Sequence, residues 1–136
     1  MPHPRPPRVP EKVEQQHIVT LLRSLGARVY VLGHASPKDG RTHRGTGQTP
    51  GIADLEAFIS KRGELTRTLL KIEVKAAGGR LSPEQRDYQH ECQAANVAHI
   101  VGGYDAVVAW LLEHGFLATW QVPHYRVPAP KWEARP

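Results

Sequence analysis

Ala53-Asp54-Leu55-Glu56-Ala57-Phe58-Ile59-Ser60 and Leu69-Leu70-Lys71-Ile72-Glu73-Val74-Lys75 decide the fold. Successive side chains of a strand point to opposite faces. In the first stretch Ala53, Leu55, Ala57 and Ile59 therefore share one face, while Asp54, Glu56 and Phe58 share the other. In the second, Ile72 and Val74 oppose Lys71, Glu73 and Lys75. Both read as half-buried strands, and Lys61-Arg62-Gly63-Glu64 between them is a turn, so the two form a hairpin. That pairing brings Asp54 close to Glu73 and Lys75, with Val74 turned into the core between the latter two.

The flanking sequence supplies the other elements. Residues 11–25 read as an amphipathic helix with Glu14, Ile18, Leu21, Leu22 and Leu25 on one face, and Gly26 is placed to end it. Residues 27–32 are short and rich in β-branched and aromatic types, which predicts a strand. Residues 33–51 contain five glycines and two prolines, a stretch long enough to be either functional or disordered. After a glycine-containing connection at 76–80, Ser82-Pro83-Glu84-Gln85 starts a helix running to about 95, with Ser82 as N-cap, proline at the first position and Gln85 placed for a capping box. Residues 97–101 form a short apolar strand, and 104–114 a second amphipathic helix. There is no internal repeat. The order α-β-β-β-α-β-α predicts an α/β fold with a mixed central sheet flanked by helices.

Length and composition set the outer limits. The 136 residues, 40% of them hydrophobic, suffice for one domain with a core of its own. A lone Cys92 excludes an internal disulfide and suits a reducing, cytoplasmic setting. No apolar run approaches the roughly 20 residues of a bilayer span, and the first residues lack the apolar segment of a secretory signal. Of 12 prolines, five lie in residues 1–10 and four in 123–136, so these ends read as extended tails around a domain at 11–122. The 18 Lys and Arg against 13 Asp and Glu give a net charge of +5, but the two tails hold five of those cations and one of the acids. The domain is nearly neutral, and global charge says little about its partner. The tails read as electrostatic arms that strengthen contact with an anionic polymer.

Chemistry enters where acidic and basic groups sit without need in a core pattern. Asp54 and Glu73 converge, and two carboxylates at one point repel unless a cation or proton lies between them. Oxygen-only ligands suit Mg²⁺ or Mn²⁺, and the neighbouring Lys75 ammonium can hold or polarise a water.

These residues resemble a known signature. Pro50 and Asp54 followed by Glu73-Val74-Lys75 look like the PD-(D/E)xK nuclease pattern, which is a restriction-endonuclease-like fold. Thr49-Pro50-Gly51-Ile52-Ala53-Asp54-Leu55, Ile72-Glu73-Val74-Lys75 and Gly78-Gly79-Arg80-Leu81-Ser82-Pro83-Glu84-Gln85 together are similar to the virus-type replication-repair nuclease (VRR-NUC) family, over about residues 11–112. The resemblance implies that Asp54, Glu73 and the Val74 carbonyl bind one or two Mg²⁺ or Mn²⁺ ions and that Lys75 positions or activates the attacking water. It implies that Gln85 orients Lys75 or the phosphate and that an acid on the first helix, Glu14 or Glu11 one turn earlier, completes the site. Ala53 stands where many members have proline. The implied activity is hydrolysis of DNA phosphodiesters by a structure-selective endonuclease acting on branched DNA such as Holliday junctions. The implied setting is replication or repair in the cytoplasm of a bacterium or phage-infected host, without a small-molecule cofactor. The two-fold symmetry of a junction suits a homodimer joined through the apolar face of 104–112 or the long loop.

Other readings attach to the same residues. Glu73 and Lys75 alone would be solvated residues on an open sheet face; their combination with the Ser82-Pro83-Glu84-Gln85 helix start favours a site. Glu14 also suits the N-terminal macrodipole of its helix. Lys38, Arg41 and Arg44 of the long loop and Arg80 of the second connection are candidate phosphate contacts. His34, His43, His90, Cys92 and His99 lack zinc-ligand spacing. Tyr88 and Gln89 read as packing and surface, and Trp120, Tyr125 and Trp132 have no pattern to assign. Two other functions remain open: a DNA-binding module without catalysis, and a restriction-type enzyme, for which the chain is short of a recognition insert.

Overall fold

The computed structural model describes residues 9–32 and 51–124. Its elements are helix α1 (Glu11–Ser24), strands β1 (Arg28–Val31), β2 (Leu55–Ser60) and β3 (Arg67–Val74), helix α2 (Pro83–Ala94), strand β4 (Ala98–Gly102), helix α3 (Tyr104–Glu113) and a 3-10 turn at Thr119–His124. The order is the one the hydrophobic periods predict, with ends shifted by a residue or two where strand hydrogen bonds start or stop. β3 begins two residues earlier than its apolar pattern, because Arg67 and Thr68 pair with Ser60 and Ile59 across the hairpin. The 3-10 turn reaches past the expected domain end at 122 and was invisible to periodicity, being too short to show one.

The four strands lie in the order β1-β2-β3-β4. The first three are antiparallel neighbours and β4 runs parallel to β3, a mixed sheet. One face is dry. Leu55, Ala57, Ile59, Leu70, Ile72 and Val74 from the hairpin meet Ile18, Leu21 and Leu22 of α1 and Val107, Val108 and Leu111 of α3, all at most 2% exposed. Each such aliphatic side chain removed from water contributes roughly 1.5–3 kcal/mol. The apolar face of α3 is thus used up inside the domain, so it is not the free surface expected for a dimer contact.

The other face carries three cross-strand rows, read from the register. Leu32, Asp54, Glu73 and Val101 form the first, Tyr30, Glu56, Lys71 and His99 the second, and Arg28, Phe58 and Leu69 the third. Helix α2 lies over the β3–β4 side of this face, where Tyr88 packs on His99 with ring centroids 5.7 Å apart. Among the described residues no helix is long and apolar enough to cross a membrane.

Candidate active site

The first row holds the candidate chemistry, and three backbone devices bring it together. Asp54 stands just before β2, where its own carbonyl accepts the Leu32 N–H at 2.8 Å and so ties β1 to the strand entry. Its Oδ2 accepts the Val74 N–H at 2.8 Å, fixing its carboxylate against the end of β3. Ahead of it, Gly51 adopts φ +89°, and a Cβ there would lie 2.6 Å from the Glu84 backbone. Only glycine lets the entry to β2 press on the first turn of α2.

That first turn supplies the third device. Gln85 N–H donates to Ser82 Oγ at 3.2 Å and Ser82 N–H donates to Gln85 Oε1 at 2.8 Å, a full capping box. The remaining amide hydrogen bond of Gln85 goes from Nε2 to Glu73 Oε1, at 2.7 Å. Gln85 therefore forms the capping box, and its free amide hydrogen goes to Glu73 rather than to Lys75. Lys75 Nζ lies 3.7 Å from the same Glu73 Oε1.

Glu73 is the only buried charged residue in the described core, at 2% exposure. Its Oε1 is held by Gln85 and Lys75, but Oε2 is buried without a hydrogen-bond partner. Burial and the adjacent Asp54 carboxylate push the Glu73 pKa up to about 8; Lys75 opposes this, while the charge of Glu11 adds to it. Without a cation, a proton holds these carboxylates together. The donor set is all hard oxygen and the orphaned Oε2 is aimed beside Asp54, which fits a divalent cation of the Mg²⁺ or Mn²⁺ kind. Among the described residues there is no cluster of three His, Cys, Asp or Glu that could hold a metal, whether around His90, Cys92 and His99 or here. Further ligands would have to come from the backbone or water.

The α1 acids separate. Glu14 Oε2 accepts the Tyr104 N–H at 2.7 Å, capping α3, and a Cβ on Gly103 would fall 2.8 Å from the Glu14 carboxyl carbon. His17 meets the Tyr104 ring edge-on at 6.1 Å beside this contact. The α1 carboxylate whose charge reaches Glu73 is Glu11. Val74 is 1% exposed, with its side chain in the core as alternation requires. Arg80 is exposed on the loop before α2, and Lys38, Arg41 and Arg44 lie outside the described residues.

The second row was not singled out by sequence. Lys71 Nζ pairs with Glu56 Oε2, and the Tyr88 hydroxyl bonds to Lys71. Burial opposes the Lys71 charge, but Glu56 and Tyr88 outweigh it and hold its pKa above the ordinary range. The signal was present in the alternation of Glu56 and Lys71, which the register places directly opposite each other.

This fold has a counterpart among solved structures. A structure titled "VRR_NUC domain" superposes with a TM-score of 0.53, covering 76% of this chain and 95% of that one at 24% identity. This chain has the VRR_NUC fold. No family model and no curated protein sequence matches it. The likeness spans nearly all of that chain, so the architecture is shared as a whole, and the mixed four-stranded sheet with three helices is consistent with the restriction-endonuclease-like arrangement expected from the sequence.

Proposed function

We propose that this chain is a divalent-metal-dependent nuclease that hydrolyses DNA phosphodiester bonds. The observation that carries the reading is Glu73: a buried carboxylate, one oxygen fixed by Gln85 and the other orphaned beside Asp54, with the Lys75 ammonium next to it. A carboxylate left in this state needs a cation or proton partner, and the VRR_NUC title of the structural neighbour supports a nuclease role for the site.

Asp54, Glu73 and the Val74 carbonyl would hold Mg²⁺ or Mn²⁺, with Glu11 or Glu14 as the α1 acid. The bound ion would supply positive charge against the phosphate and lower the pKa of water. The chain's own residues do the rest. Gln85 keeps Glu73 Oε1 occupied, which would leave Oε2 to hold the ion. The Val74 N–H holds Asp54 in one orientation. Lys75 holds a water by a charged hydrogen bond and offsets charge gathering on the phosphate. Arg80, with Lys38, Arg41 and Arg44, would contact the flanking phosphates. Branched DNA as substrate, a homodimer that cuts both strands, and a cytoplasmic place in bacterial or phage replication and repair complete the proposal.

Plasmid, linear and four-way-junction DNA incubated with Mg²⁺, Mn²⁺ or EDTA test it on a gel. The expected result is metal-dependent cleavage, greatest on the junction, that disappears in Asp54→Ala and Lys75→Ala. Cleavage that survives both changes sinks the site, and binding without any cleavage favours the non-catalytic module.

A further inference from the structure

The β1–β2 half of the second sheet face is not covered by α2, and it is both aromatic and basic. Tyr30, on the β1 strand at the edge of the sheet, is 45% exposed. Its ring meets Phe58 edge-on, centroids 6.1 Å apart and planes at 89°. Arg28 Nε donates to the Tyr30 hydroxyl at 3.4 Å. Arg67 lies alongside, its Nη1 donating to the Gly26 and Phe58 carbonyls at 3.0 and 3.2 Å. Those acceptors are uncharged, and among the described residues neither guanidinium pairs with a carboxylate. The nearest acid on this face, Glu56, is already neutralised by Lys71. Together they offer a half-exposed tyrosine ring, backed by a second ring at right angles, and two cations without a paired anion among the described residues.

Position ties this patch to the candidate active site. Tyr30 lies opposite Glu56, and Asp54 lies opposite Leu32, so Tyr30 is one row and one strand from Asp54. A row is two residues, about 7 Å, and neighbouring strands are about 5 Å apart. The Tyr30 position is thus roughly 9 Å from that of Asp54 along the sheet, within one to two nucleotide steps. We infer that Tyr30 and Phe58, with Arg28 and Arg67, form a subsite that stacks an unpaired nucleobase next to the phosphate held at Asp54 and Glu73.

This rests on the nuclease reading for the identity of the polymer, and it adds that the bound DNA is single-stranded at that point. A base inside a duplex keeps both faces against its neighbours and cannot lie on a side-chain ring. The guanidinium groups meet the phosphates on either side of the stacked base. A second copy of the chain pairing on the β1 edge is the competing occupant, and the opposed cations across such a contact disfavour it.

The test uses the full chain and DNA duplexes with a six-nucleotide 5′ or 3′ overhang that carries 2-aminopurine next to the duplex junction. Ca²⁺ replaces Mg²⁺ so that binding is read without turnover. Stacking on the ring quenches 2-aminopurine fluorescence, so binding should change its emission. Tyr30→Ala should abolish the change and weaken overhang binding about tenfold by anisotropy. Tyr30→Phe, which keeps the ring and loses the hydroxyl, should retain both. Arg28→Gln should lower the salt dependence of binding by about one ion. Circular dichroism checks that each variant is folded. Binding and emission equal in the wild type and Tyr30→Ala overturn the subsite, as does a Tyr30-dependent dimer in sedimentation with no effect on DNA. Cleavage by Tyr30→Ala with unchanged overhang preference overturns it while leaving the nuclease reading in place. Tyr30-dependent quenching by a chain that cuts no DNA upholds it and removes the nuclease reading instead.

Discussion

Two adjacent rows on one sheet face have nearly the same ingredients and opposite outcomes. In the first, Asp54, just before β2, faces Glu73 of β3; in the second, two residues along, Glu56 faces Lys71. The second row closes on itself, because acid meets ammonium across the pair and Tyr88 adds a further bond. The first row does not close in this way, because acid meets acid across the strands and Lys75, just past β3, reaches only Glu73 Oε1, at 3.7 Å. A sheet tolerates charge on a half-covered face where the register matches opposite signs. Where it matches like signs, the two carboxylates stay together only with a proton or a cation between them.

Breaking the first row should have the largest effect. Asp54→Ala should lower metal-dependent DNA cleavage by about 10²–10³-fold or more, as loss of a pre-placed charge does in other sites, whereas Glu56→Gln should leave the rate within a few-fold. Initial rates on one substrate compare them directly.

The next largest effect is on stability and has a defined sign. Glu73 keeps its proton up to about pH 8 in the folded chain, while in the unfolded chain it ionises at its ordinary, lower pKa. Between those values the folded state binds more protons than the unfolded, so the metal-free protein loses stability as pH rises, levelling off above about pH 8. The loss should be on the order of 2–4 kcal/mol between pH 5.5 and 8.5. Urea unfolding with EDTA measures it. Glu73→Gln should flatten the profile and raise stability at pH 8.5, and excess Mn²⁺ should do the same for the wild type. A profile that rises with pH would refute the like-charge account of the row.

Gln85→Ala tests how the first row is supported. It removes one side of the capping box and the bond to Glu73, and should cost about 1–2 kcal/mol by chemical denaturation as well as lowering cleavage.

The smallest effect is expected in the closed row. A double-mutant cycle of Glu56→Gln and Lys71→Met should return a coupling of about 0.5–1 kcal/mol in thermal or urea unfolding, the range of a partly exposed pair. A coupling near zero would make the second row merely solvated.

Much of this was legible in the chain, because strand alternation is a strong signal and the acid pair lies on it. The period of two around Leu55 and Ile72 gives the core face, and Asp54, Glu73 and Lys75 follow on the opposite one. Gln85 was legible because a capping box is a local pattern. What could not be read were contacts set by how elements pack. Glu11 and Glu14 lie one turn apart on nearly the same helix face, and only the approach of Gly103 assigns Glu14 to the Tyr104 N–H. The Glu56–Lys71 pair needs the register, which sequence leaves free by a residue or more. The apolar face of α3 was legible as a face, but whether it met the core or a partner was decided by α1 packing against it.

The single amide of Gln85 limits what evolution or engineering can place at that position. One end must accept from Ser82 N–H and the other must donate to Glu73, across a side chain long enough to span both. A glutamate accepts but cannot donate when ionised; a lysine or arginine donates but cannot accept; asparagine has both groups on a shorter stem. Glutamine alone combines that length with both polarities in an uncharged side chain. A library randomised at residue 85 and selected once for folding and once for cleavage should therefore return different survivors, with glutamate passing the first sieve and glutamine dominating the second.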